Sequence, residues 1–291
     1  MAAKDDRSTP PPLPAPLAVP VADSHTHLDM QSGTPAEGLA KAASVGVTTV
    51  VQVGCDLPGS RWAAELAGEF EQVHAAVALH PNEAPRIVLG DPDTWSGQKR
   101  EPGGSAALDE ALAEIDRLAA LPQVRAVGET GLDYFRTGPE GVEIQKESFR
   151  RHIEIAKRHD KALVIHDRDA HEDVIEVLLA EGAPERTVFH CYSGDAAMAE
   201  LCAEHGWYLS FAGPVTFKAN QPLRDALAAT PLDRILVETD APFLTPHPYR
   251  GRPNAPYLIP VTVRSMAETL GLGEDELCTA IAANTARAFG C

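Results

Sequence analysis

Long apolar runs are missing from this chain. No stretch of 18 consecutive apolar residues occurs, so no segment has the character of a membrane-spanning helix. Cysteine is scarce. The five, Cys55, Cys191, Cys202, Cys278 and Cys291, are odd in number, scattered, and include no Cys-x-x-Cys pair, which argues against a disulfide framework and a zinc ribbon. Positive charge is in deficit: 25 Lys and Arg against 42 Asp and Glu leave a net charge of −17. A surface that binds nucleic acid by counterion release needs a basic track. No extended basic nucleic-acid surface is therefore expected, and any phosphate recognition falls to bound metal ions and a few local cations. The first residues, Met1 to Pro16, are rich in proline and charge and lack the apolar stretch of a signal peptide. They predict a disordered tail over residues 1–18 of a cytoplasmic protein, ahead of one domain over 19–291.

What is present is a regular alternation. Eight β-rich runs, several almost continuously apolar, begin at Pro20, Val47, Ala75, Val124, Ala162, Thr187, Trp207 and Ile235. Buried parallel strands read this way. Between them lie stripes at helical spacing, such as Leu108, Leu112, Ile115 and Ala119, or Phe149, Ile153 and Ala156. Eight strand–helix units predict an α/β fold, a (β/α)8 TIM barrel in a single domain. A doubly wound sheet is disfavoured, because no Gly-rich phosphate loop follows the first strand. Two segments interrupt the pattern. Arg86 to Ser105 reads as a long solvated loop after the third strand, and Thr245 to Pro256 as a functional loop after the eighth.

The strand ends carry the chemistry. His25 and His27 are two apart on the first strand and so share a face, with Asp23 on the same side. The third strand ends in His80, the fourth in Glu129, the fifth in His166 and the sixth in His190, and the eighth runs into Glu238 and Asp240. Barrel active sites gather at these ends. Imidazoles and carboxylates on six of eight strands predict a metal site, with Glu238 supporting a ligand rather than acting as one. His74, His152, His159, His171 and His205 read as surface or capping residues, and His247 is left open.

The segments Asp23–Asp29, Leu79–Pro81, Gly128–Tyr134, His166–Arg168, His190–Gly194, Glu238–Leu244 and Asn284–Phe289 resemble the signature blocks of the TatD family, a branch of the amidohydrolase superfamily. The resemblance runs from about Val21 to Phe289. It implies a barrel with two divalent metal ions (Zn, Mn or Mg). One would be held by His25, His27 and Asp240, the other by His166 and His190, with Glu129 bridging. Related enzymes often bridge with a carboxylated lysine, but no lysine lies between Val124 and Leu132. The chain departs from the family in its long tail, its 86–105 loop, Thr130 and Pro253.

The resemblance implies a metal-dependent hydrolase acting on ester bonds, a deoxyribonuclease working from DNA ends or on a small phosphodiester. Catalysis would rest on Glu129 and on Asp240 as ligand and general base. Substrate contacts would come from His80, Lys218, Arg250 and Arg252. Phe211 or Tyr134 could stack on a base, or simply pack. Two alternatives stand beside this reading: a metal-dependent deacylase or amidase, such as a D-aminoacyl-tRNA deacylase, and a non-catalytic metal-binding scaffold, which would need none of the six ligands. The sequence leaves the oligomeric state open.

Overall fold

The computed structural model describes residues 7–91 and 99–290. Its frame is eight strands: β1 (Val21–Thr26), β2 (Val47–Gly54), β3 (Val73–Val77), β4 (Val124–Asp133), β5 (Ala162–Arg168), β6 (Thr187–Phe189), β7 (Tyr208–Phe211) and β8 (Ile235–Val237). They lie in sequence order in one sheet, with helices between successive strands. That order and alternation are those of the expected α/β fold, a (β/α)8 barrel. Among the described residues no helix is long and apolar enough to cross a membrane.

The chain divides into two compact units. The first comprises residues up to Gln52 and from Cys191 onward. Within it β7 pairs with β8 and β1 with β2, all parallel. The chain after β8 is laced to β1: Asp240 N donates to His25 O at 2.9 Å, and His27 N to Ala241 O at 2.8 Å. Asp23 reinforces this register. Its carboxylate is buried and accepts from Thr239 N at 2.9 Å and Thr239 Oγ1 at 2.5 Å. Burial pushes its pKa up to about 7, although the Thr239 bonds pull the other way. Asp23 thus joins two strand ends rather than the ligand set. In the C-terminal helix Glu274–Phe289, Asn284 Nδ2 donates to Leu232 O and Ile235 O at 2.8 and 2.7 Å, fixing the start of β8.

Where it is described, the proline-rich segment, expected from composition to be disordered, is bonded to the domain. Arg252 Nε and Nη2 donate to Thr9 O and Pro10 O, both at 2.8 Å. Tyr257 Oη donates to Pro11 O at 2.7 Å, Arg264 Nη2 to Ala15 O at 2.9 Å, and Leu17 is buried. The physical reason lies in proline itself. Consecutive prolines keep an extended backbone whose carbonyls have no internal partner, and arginine and tyrosine donors take them. Residues 1–6 lie outside the described residues.

The second unit is Val53–His190. Here β3 pairs with β4, β4 with β5, and β5 with β6. The sequence predicts that the fourth strand ends at Glu129; the strand continues to Asp133. Val127 pairs with Leu163 and Thr130 with Ile165, so β4 advances three residues while β5 advances two. The extra residue is a bulge at Gly128–Glu129, a device that re-aims a side chain. Gly131 follows at φ 133°, where a Cβ would lie 2.1 Å from His166 O, so only glycine allows this close approach. Of the expected 86–105 loop, the first residues belong to helix Glu83–Leu89, Asp91 and Arg100 pair as a bridge, and helix Gly104–Ala119 takes the end. Residues 92–98 lie outside the described residues.

Candidate metal centre

In the first unit, β1 and the turn after β8 bring three donors together. His25 and His27 share a face, as their spacing predicts, with their Nε2 atoms 3.3 Å apart. Asp240 Oδ1 lies 3.4 Å from His27 Nε2 and 3.9 Å from His25 Nε2. Asp240 sits at φ 51°, a left-handed conformation that Asp tolerates better than most residues. Its strain is held by the bonds to β1, and it turns the carboxylate onto the two imidazoles.

The second unit contains another triad. Glu129 Oε2 lies 3.0 Å from His190 Nε2 and 3.1 Å from His166 Nδ1, and those two nitrogens are 3.4 Å apart. The β4 bulge aims Glu129 at this point. His190 is placed by its amide, which donates to Ile165 O at 3.1 Å. Donors about 2.1 Å from a tetrahedral ion stand about 3.4 Å from one another. Both triads match that spacing, and their imidazole and carboxylate donors suit zinc or manganese. Burial alone would lower the His166 pKa, but the bonds from Asp133 and Glu129 more than offset it and hold it above the usual imidazole value.

Around the second triad lies a network that the strand-end pattern did not reveal. Asp133 Oδ2 is 3.3 Å from His166 Nε2, leaving Nδ1 to face Glu129. The Asp133 carboxylate also accepts from Asn82 Nδ2 and from the amides of Phe135 and Arg136. Burial opposes its charge, but the bonds from His166 and Asn82 outweigh that and hold its pKa well below the usual carboxylate range. Asn82 N donates to His80 Nδ1 at 3.1 Å, so neutral His80 carries its proton on Nε2, 4.0 Å from Glu129 Oε2. Burial and the His166 charge push its pKa down to about 3. Cys55 was likewise missed: its thiol donates to Glu129 Oε1 at 3.2 Å. Glu238 Oε1 accepts the Cys191 amide at 2.8 Å.

His152, read from the sequence as a surface or capping residue, is wholly buried in helix Pro139–Arg158. Its Nδ1 donates to Ser148 O at 2.7 Å, and its Nε2 accepts the Leu79 amide at 3.1 Å, fixing the backbone next to His80. Burial pushes its pKa from 6.5 down to about 4. In the unfolded chain it takes a proton near pH 6.5, so the stability it contributes is full above that pH and lost as pH falls toward 4. His152→Phe keeps the ring but leaves the Leu79 amide unpaired. It should cost about 1–3 kcal/mol at neutral pH and flatten the loss between pH 6.5 and 4. Urea unfolding of both proteins across that range is the check. Parallel curves would show that His152 titrates as it does when unfolded.

Arg252 is turned onto the N-terminal segment. Arg250 stacks on Phe217, 4.6 Å from the ring centre, and Lys218 is exposed, its carbonyl accepting from Arg224. Phe211 is fully buried, and Tyr134, half-buried, donates its Oη to Asp173 Oδ2 at 2.6 Å.

The family model "TatD related DNase" matches residues 22–290. The metal-dependent hydrolase TatD of Mycobacterium tuberculosis is 43% identical over 276 residues, covering 92% of this chain and 97% of the relative. The metal-dependent hydrolase YcfH of Escherichia coli is 36% identical over 276 residues, covering 92% and 94%. Among solved structures, the TatD homologue YjjV of Escherichia coli superposes with a TM-score of 0.79 at 26% identity, covering 93% of this chain and 98% of that one. An organophosphorus hydrolase from Deinococcus radiodurans shares the fold at a TM-score of 0.60 and 16% identity, with 96% and 97% covered.

Proposed function

The chain belongs to the TatD-related DNase family and is a metal-dependent hydrolase, and from that premise we propose that it cleaves phosphodiester bonds at DNA ends with two divalent ions. The observation that carries this reading is the pair of donor triads, each spaced for an ion. In it His25, His27 and Asp240 hold one ion, His166 and His190 the other, and Glu129 bridges. When bound, the two ions acidify water and neutralise charge that builds on the phosphoryl and leaving oxygens.

The protein's own groups do the rest. Asp240 takes the proton of the attacking water, as a carboxylate aimed into the site. Asp133 keeps His166 turned with Nδ1 inward. His80, a neutral imidazole with its proton on Nε2, donates to a phosphoryl oxygen without carrying charge of its own. A net charge of −17 leaves room to grip few phosphates, so substrate is taken by its end rather than along its length.

A panel on metal-loaded protein tests the reading: linear and closed circular single-stranded DNA, RNA, phosphomonoesters and aminoacyl esters. Linear DNA should be degraded, closed circles spared, and elemental analysis should find two ions per chain. Binding should fall shallowly with salt, each phosphate contact adding roughly −0.7 to the log–log slope. Preference for aminoacyl esters would replace this reading with a deacylase. Efficient cutting of circles would remove the end-acting part.

A further inference from the structure

The ends of β4 and β5 carry a feature that the mechanism above does not use. Phe135 is 61% exposed, a large ring left open to solvent two residues beyond Asp133. The Arg168 guanidinium lies over one face of it, 3.8 Å from the ring centre. That leaves the other face open. The two are held in place by the backbone: the Tyr134 amide donates to Arg168 O at 2.9 Å, and the Phe135 amide donates to Asp133 Oδ1 at 3.0 Å.

Arg168 has a second peculiarity. Most described arginines of this acidic chain, among them Arg61, Arg86, Arg117 and Arg264, are paired with carboxylates. Among the described residues no carboxylate pairs with the Arg168 guanidinium, so its N–H donors are available while stacking fixes its plane. Its position also matters. Residues 166 and 168 share one face of β5, so Arg168 stands about 7 Å further along the strand than the metal-facing His166, the scale of one nucleotide step in an extended strand. Asp133 ties both places together, since it touches His166 Nε2 and the Phe135 amide at once.

We propose that Phe135 and Arg168 form a nucleotide subsite beside the metal centre, in which the ring stacks on a base and the guanidinium grips the phosphate next to the scissile one. This rests on the phosphodiesterase reading. It supplies the local cation and aromatic platform that an acidic, end-acting nuclease needs. Base–aromatic stacking is tolerant of sequence, so the subsite selects single-stranded nucleotides rather than a particular base.

The test is oligonucleotide binding by fluorescence anisotropy in an Asp240→Asn background, where turnover is suppressed. The probes are a thymidine oligomer and the same sugar–phosphate chain without bases. Stacking is worth about tenfold or more per base, so the thymidine oligomer should bind about tenfold more tightly. Phe135→Ala should abolish that preference. Arg168→Gln should weaken both probes several-fold and reduce the salt slope by about 0.7. Circular dichroism and metal content matching the parent protein show that each variant keeps its fold and its ion site. Unchanged base preference in Phe135→Ala, an unchanged salt slope in Arg168→Gln, or no binding of either probe overturns the subsite. If wild-type protein binds the oligomer through these residues yet hydrolyses only aminoacyl esters, the subsite stands and the phosphodiesterase reading fails.

Discussion

Asp240→Asn should lower kcat by about 10²–10⁴-fold, the range typical of a lost general base, while thermal stability changes little. The amide keeps the shape of the side chain and one oxygen near His27 Nε2, where Asp240 Oδ1 lies at 3.4 Å. The backbone bonds that hold the turn, Asp240 N to His25 O and Phe243 N to Asp240 O, are untouched. What disappears is a carboxylate able to accept a proton. The comparison is made at saturating metal, so that weaker ion binding is not mistaken for slower chemistry, with Tm and metal content measured on the same preparation. Wild-type turnover with any substrate the enzyme accepts would remove Asp240 from the proton transfer. A large fall in Tm would instead show that the side chain holds the turn after β8.

The parts of the site that alternate along a strand were legible in the sequence. His25 and His27 needed only a period of two, and Asp240 and His190 needed only the rule that barrels place chemistry at strand ends. Glu129 was found for a reason that holds only in part. It does not end its strand; β4 continues to Asp133, and a bulge aims the side chain. A bulge depends on how two strands pair, which no single run of residues displays. The same limit hid the tertiary partners. Asp133 and Asn82 belong to a network between segments far apart in the chain, and His152 looks like any histidine on a helix until Leu79 is seen above it. Tyr134 and Phe135 show the limit at one-residue scale: both are aromatic, and only the pairing of the β4 and β5 ends decides which is bonded to Asp173 and which is exposed. Arg252 shows the same limit: proline-rich segments are read by composition, whereas their free carbonyls make them good partners for a guanidinium.

Glu129→Ala should strip more metal than any single histidine change. Glu129 Oε2 lies 3.0 and 3.1 Å from His190 Nε2 and His166 Nδ1, so its loss removes the only carboxylate from that triad. A bridging role adds a second consequence. If Glu129 served both ions, the substitution would weaken both sites together. His166→Ala removes one neutral ligand from one site, so it should deplete mainly the ion held with His190. Elemental analysis after equilibration with metal and desalting distinguishes the two patterns, and circular dichroism confirms that each variant is folded. Loss of both ions in Glu129→Ala, with one retained in His166→Ala, is the expected result. Equal and partial losses would mean that Glu129 serves a single ion, and the catalytic scheme would need only one metal at His166 and His190, with Asp240 acting on water bound elsewhere. The comparison depends on burial as well as charge. Glu129 has a side chain only 5% exposed, so its removal withdraws negative charge from a largely buried cluster of imidazoles, and the effect on metal content should exceed the effect on the stability of the fold.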